Sequence, residues 1–124
     1  MVSITTNPIE GTWPPFKAEL AGEHAPDLAL AKMLLVLSAG TYAVHFGGEV
    51  TDSGSYTLSI AEGFHTITLT SLCGANAGRT IPSIYQLTGD RLRICYGLDG
   101  VAPFSFSAPV GSRCYLVSYR RTTA

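Results

Sequence analysis

Apolar and polar residues alternate with a period of two along most of this chain. Tyr42, Val44 and Phe46 alternate with Ala43 and His45. Tyr56, Leu58 and Ile60 alternate with Ser55, Thr57 and Ser59, and Ile67 and Leu69 with Thr66, Thr68 and Thr70. Leu92, Ile94 and Tyr96 alternate with Arg91, Arg93 and Cys95. Successive side chains of a strand point to opposite faces, so this period marks half-buried β-strands. The pattern predicts strands over residues 11–20, 33–38, 41–47, 50–59, 65–70, 79–87, 91–96 and 114–121. Ala39-Gly40, Glu62-Gly63 and Thr88-Gly89-Asp90 separate them, with glycine where a tight hairpin needs positive φ. One short helix is expected over residues 27–32, across one barrel mouth, with Asp27 accepting the orphan N–H groups of its first turn. Pro14-Pro15 should bend the first strand, because proline brings no ladder donor and belongs at a rim, an edge or a bulge.

About eight short strands with no long helix between them imply antiparallel hairpins. Closing such a sheet removes its free edges. The fold class expected is therefore all-β, an up-and-down antiparallel barrel of about eight strands, with a flattened two-sheet sandwich as the runner-up. Residues 9–121 make one domain, 1–8 a flexible lead and 122–124 a tail. A barrel of this size is either filled by its own side chains or holds one small ligand.

Trp13 is the only tryptophan of the chain. Gly11 and Trp13 begin the first strand; Arg120 and Arg121 end the last. Barrel closure brings those strands together, so these four residues are the candidates for closing one end. Arg120 or Arg121 would then stack on the indole, a contact worth roughly 0.5–2 kcal/mol.

The inward phase supplies the candidate ligand-binding residues: Tyr42, Val44, Phe46, Tyr56, Leu58, Tyr85 and Tyr96, with Leu34 and Val36 in the same wall. All six tyrosines take the phase of the aliphatic residues. A buried hydroxyl without a partner costs roughly 1–3 kcal/mol, so six of them suit barrel ends or a wetted cavity better than a dry core. Arg79 shares the phase of Ile81 and Tyr85 and would meet an acidic head group. Apolar walls with a few polar groups are what small-molecule sites use. The alternative is a filled barrel serving as an interaction module, its surface at residues 101–106, where Phe104 and Phe106 would form an exposed patch.

Composition narrows the function classes. The 124 residues are 46% hydrophobic and 14% charged, too apolar for a disordered chain. Residues 1–62 carry a net charge of −5 and residues 63–124 a net +4. The overall −1 gives no global field for nucleic acid, and scattered arginines without a recognition motif read as solvated strand faces. There is no GxSxG elbow, HExxH, P-loop or Gly-rich dinucleotide turn, so no enzyme activity and no cofactor are expected. His24, His45 and His65 are not at metal-ligand spacing, and no metal is expected. His65, on the inward phase, is the one residue that could reach a metal or haem in a large cavity. Cys95 is the one candidate reactive thiol, since Arg91 and Arg93 share its face and cations lower a thiol pKa. The first eight residues lack the basic and apolar regions of a signal peptide. The longest apolar run, 33–37, is far short of the ~18 residues a spanning helix needs. With Cys73, Cys95 and Cys114 an odd set without CxxC spacing, free thiols in a reducing cytoplasm are the simplest expectation.

Five segments together carry a resemblance: Ile9-Glu10-Gly11-Thr12-Trp13, Ala18-Glu19-Leu20-Ala21-Gly22-Glu23, Gly54-Ser55-Tyr56-Thr57-Leu58, the stretch from Ile84 through Thr88-Gly89-Asp90 to Tyr96, and Pro103-Phe104-Ser105-Phe106-Ser107. In order and spacing they resemble a small lipocalin-like domain family of planctomycete-type bacteria, itself functionally uncharacterised. The resemblance implies a calycin-type barrel over residues 9–121. The chain departs from that pattern at Pro14-Pro15, in the Ala/Gly-rich residues 73–78, and in lacking a leader.

Overall fold

Pro14 divides the first extended stretch into two strands with different neighbours. β1 (Gly11–Trp13) pairs with β4 (Met33–Ser38), and β2 (Pro15–Leu20) pairs with β10 (Cys114–Arg120). The computed structural model describes residues 9–74 and 76–122. The expected flexible lead, 1–8, and the last two residues of the expected tail lie outside that range. The remaining elements are β3 (Glu23–His24), α1 (Asp27–Leu30), β5 (Thr41–Phe46), β6 (Glu49–Ala61), β7 (Phe64–Gly74), β8 (Thr80–Thr88) and β9 (Arg91–Gly97).

All ten strands form one curled antiparallel sheet in the order β1-β4-β5-β6-β7-β8-β9-β10-β2-β3. From β4 to β10 each strand pairs with the next in sequence, as hairpins require. The C-terminal end of the chain touches both halves of the split strand. The Arg120 amide donates to the Pro14 carbonyl at 3.1 Å, and the Thr122 amide to the Thr12 carbonyl at 2.9 Å. Among the described residues no helix is long and apolar enough to cross a membrane.

Several expectations need correction. β6 and β7 run further than their alternation suggested, through Ala61 and Gly74. Between the expected first strand and the helix lies a further short strand, β3, which pairs with Glu19 and Leu20. The helix is a single turn. Its N-cap is Pro26 without a side-chain hydrogen bond, and Asp27 is its first residue rather than its cap. The phase of β4 is the reverse of that expected. Leu35 and Leu37 are buried and Leu34 and Val36 only half-buried. Residues 33–37 are all apolar, so alternation carries no information there and the partner strand decides. Leu35 lies opposite Val44 and Leu37 opposite Tyr42, and directly paired antiparallel residues share a face.

The outer face of β8 and β9 is also covered. Ile84 and Cys95 pair across the two strands and are both almost fully buried. The residues after β9 fold back over them, with Pro103 and Ala108 buried and the Cys95 thiol donating to the Ser107 carbonyl at 3.5 Å. The stretch that includes the expected partner surface, residues 101–106, is therefore partly a second, small core.

Candidate functional site

The inner face of the sheet divides into a packed end and an open end. At the packed end Ile9, Trp13, Leu37, Ile67, Leu92, Ile94 and Val117 have essentially no exposed surface. Trp13 Nε1 donates to the Ile9 carbonyl at 2.8 Å, so the one polar atom of the indole is satisfied. The Arg121 guanidinium lies over the Trp13 ring at 4.5 Å, and its Nη1 donates to the Glu10 carbonyl at 2.9 Å. Gly11 has φ +148°, a region an L-residue rarely adopts, while a Cβ there would meet Arg121 and Trp13 only at ordinary contact distance. Glycine is thus required there by backbone conformation rather than by lack of room. Arg120 does not reach the indole; it is exposed and lies over Phe16 at 5.4 Å.

At the other end the side chains leave a cavity of about 320 Å³. Its apolar wall comes from Leu20, Met33, Leu35, Val44, Leu69, Ile81 and Leu98, and its polar groups from Tyr42, Thr51, Asp52, Asn76, Tyr96, Tyr115 and Tyr119. β2 ends at Leu20 and β4 starts at Met33, so the connection carrying β3 and α1 runs at this end.

Among the described residues Asp52 is the only charged one in that wall, and it is 7% exposed. Its Oδ1 accepts from Ser71 Oγ at 2.5 Å, and its Oδ2 accepts from Asn76 Nδ2 at 3.1 Å and from the Tyr42 hydroxyl at 3.3 Å. The local chain is built to place it. A register shift lies between Val44 and His45 on the β5–β6 side, and another between Ser53 and Gly54 on the β6–β7 side. Bulges of this kind bend a strand and re-aim its side chains. Opposite Asp52 sits Gly74, with φ +103°, where a Cβ would overlap the Thr51 carbonyl and the Asp52 backbone.

A second polar pair lies across the cavity. The Tyr96 and Tyr119 hydroxyls are 2.7 Å apart, and the Tyr96 ring stacks on Tyr115 at 5.7 Å. Burial pushes the Tyr96 and Tyr119 hydroxyls well above the ordinary tyrosine range, and raises Tyr42 and Tyr115 in the same direction. These hydroxyls therefore stay protonated and can both donate and accept.

Of the residues expected to line a ligand site, Tyr42, Val44 and Tyr96 meet in this cavity. Tyr56, Leu58 and Tyr85 pack in the core away from it. Phe46 is 44% exposed, because it ends β5 beside the Gly47-Gly48 turn, where no further strand covers it. Arg79 is exposed and outside the cavity. It precedes the first residue of β8, so strand alternation does not apply to it, and its Nη2 donates to the Leu98 carbonyl at 2.7 Å.

His65 is exposed, its ring 5.6 Å from Tyr85, and among the described residues no group of three potential metal ligands converges. Cys95 is on the outer face, as its phase implies, but is fully buried there beneath the segment around Ser107 rather than reactive. Burial first, then the neighbouring Cys114, pushes its thiol up to about 11, and the Arg93 charge does not reverse this. Phe104 is 83% exposed, whereas Phe106 is half-buried, packing edge-on to Phe64 with Arg93 over its ring at 4.1 Å.

Sequence reasoning missed Asp52, Asn76, Leu35, Met33 and Leu98. Asp52 had a readable signal: it shares the phase of Tyr56 and Leu58, and a charged residue on an inward phase marks a special position. No protein-family model matches this chain, and neither a curated protein nor a solved structure resembling it was found.

Proposed function

We propose that this chain is a lipocalin-like barrel that binds one small apolar or amphipathic molecule and performs no catalysis. Counting β1 and β2 as one strand bent at Pro14, the strands from β1–β2 through β10 make an eight-stranded up-and-down barrel, with β3 appended at the mouth. The amide bonds from Arg120 to Pro14 and from Thr122 to Thr12 support that closure. It is also the frame implied by the lipocalin-like family the sequence resembles.

The observation that carries the binding function is the contrast between the two ends. One is filled to zero exposure around Trp13; the other retains about 320 Å³ walled by aliphatic side chains and a few placed polar groups. That composition matches small-molecule sites, and the volume lies at the small end of their range. It is about twice the ~150 Å³ that accommodates benzene.

A partner surface at residues 101–106 is the second reading, and exposed Phe104 favours it. Phe106, however, turns back onto Phe64 and Arg93, so the two rings do not form one apolar patch. The cavity is the stronger feature.

The test is an NMR titration of the ¹⁵N-labelled protein with a neutral probe, 4-phenylbutan-1-ol. Saturable shifts at the amides of Leu35, Val44, Leu69 and Leu98 are expected. Val44→Phe, which adds a ring to the cavity wall and narrows it, should weaken them while its own spectrum stays native-like. Absence of cavity shifts in the wild type, or undiminished binding by Val44→Phe, overturns the proposal.

A further inference from the structure

We infer that the cavity selects a molecule with an apolar body and a positively charged nitrogen, and that Asp52 holds the nitrogen. This rests on the proposed ligand-binding reading and adds the chemical class of the ligand.

Asp52 is nearly buried in the cavity wall, and its partners among the described residues are neutral donors: Ser71, Asn76 and Tyr42. A carboxylate whose neighbours all donate is acting as an acceptor. Among the described residues no lysine, arginine or histidine lines the cavity. Among the described residues the ion pair found is Arg121 with Asp90, at the Trp13 end. Arg79, the nearest candidate by sequence, directs its guanidinium to the Leu98 carbonyl. Neutral hydrogen bonds hold the carboxylate in place without cancelling its charge, so its field acts on whatever occupies the cavity. That field is strong because the surrounding wall is apolar and screens little.

The rest of the wall adds to the same preference. Tyr42, Tyr96, Tyr115 and Tyr119 line the cavity, and tyrosine faces attract cations. Their hydroxyls remain protonated, so they stay neutral and Asp52 alone sets the charge of the wall. An anionic ligand would face Asp52 at close range with no cation to receive it. The sign of the preference is therefore opposite to the one Arg79 suggested from sequence. The volume limits the body to about two benzene-sized units, which describes a small aryl-alkyl or branched alkyl amine.

Three probes matched in shape and differing in head group test this: 4-phenylbutylamine, 4-phenylbutan-1-ol and 4-phenylbutyrate. They are titrated at pH 7 by calorimetry, and by NMR to place the site. The amine should bind the wild type about tenfold or more tighter than the alcohol, as a hydrogen bond to a charged group implies. The butyrate should bind weakest of the three. Asp52→Asn keeps the shape and removes the charge; it should erase the amine's advantage and leave alcohol affinity within about threefold. Equal binding of amine and alcohol by the wild type overturns the inference while leaving the cavity reading intact. So does an amine preference that survives in Asp52→Asn. No binding of any probe overturns both. If Asp52→Asn fails to fold, the wild-type ranking, with amine shifts centred on Tyr42, Asp52 and Asn76, decides alone.

Discussion

Replacing Arg121 by glutamine should cost this protein more stability than any other single change at an arginine. The side chain is 28% exposed, so solvent screens it only in part. It makes three contacts through one guanidinium. Its position 4.5 Å from the buried Trp13 ring is worth roughly 1–2 kcal/mol in a partly desolvated setting. Its bond to the Glu10 carbonyl at 2.9 Å is a charged hydrogen bond worth roughly 1.5–3 kcal/mol. Its 3.7 Å approach to Asp90, which is 66% exposed, adds under about 1 kcal/mol. The three share one group and do not add in full, so Arg121→Gln should lose about 2–4 kcal/mol. Arg121→Lys keeps the charge over the ring but not the planar fork, and should lose about half as much. Urea unfolding followed by tryptophan fluorescence measures this directly, because Trp13 is the sole tryptophan and reports on that end. A loss below about 0.5 kcal/mol for Arg121→Gln would refute the assignment of Arg121 as the cover of the packed end.

Three further outcomes follow from particular residues. Ala39 sits at φ 52° ahead of Gly40 at φ 80°; Ala39→Asn should raise stability by about 0.5–1 kcal/mol, since asparagine tolerates this conformation in a type I′ turn, and the urea midpoint reads it. Gly74→Ala should lose about 2–4 kcal/mol, through positive φ and overlap with the Asp52 backbone, and should broaden the NMR signals of Asp52 and Ser71 before those of Trp13. The third concerns alkaline stability. Cys95 is raised from 9.0 to about 11. Below pH 9 the folded and unfolded chains both keep the proton and stability is complete. Between pH 9 and 11 the unfolded chain releases it while the folded chain holds it, so stability should fall by roughly 2–3 kcal/mol. Urea midpoints from pH 8 to 11 test this; Cys95→Ala should remove the early part of the fall, leaving the later loss from the raised tyrosines.

The hairpin succession was legible because it rests on local chemistry. Alternation in β5, β6, β7 and β9, together with the glycine-bearing turns, carries its own phase. Where every residue is apolar, as at 33–37, the phase comes from the neighbouring strand, and Leu34 and Val36 exchanged places with Leu35 and Leu37. The Trp13–Arg121 contact was legible for a different reason: both lie at chain ends that a curled sheet brings together. Depth along the strand was not legible. Tyr42, Tyr56, Tyr85 and Tyr96 share an inward phase, yet only Tyr42 and Tyr96 lie at the open end, because alternation gives the face a residue takes and not which end of the curled sheet its stretch of strand reaches. Cys95 shows the same limit on the outer face, where a distant segment around Ser107 covers it.

The register shifts around Asp52 bear on why one end is open. One adds Thr51 to β6 opposite β5, and the other adds Leu72 to β7 opposite β6. A bulge adds a residue to one strand, bends it and increases local twist, and these two flank the stretch of wall that carries Asp52. The packed end has one shift of its own, between Ser118 and Tyr119 where β10 meets β2 at Pro15, but none between β4 and β5 or between β8 and β9, and there leucine, isoleucine and tryptophan are buried to near-zero exposure. The same chain thus fills one end with large aliphatic groups and, within a few residues, places a carboxylate, an amide and four tyrosines around empty space at the other. Burying Asp52 without a cation costs stability that an aliphatic residue would not. Two bulges, Gly74 and three neutral donors are all arranged around that one side chain. Such an arrangement is poor design for a filled barrel and sound design for a pocket whose cation arrives with the ligand.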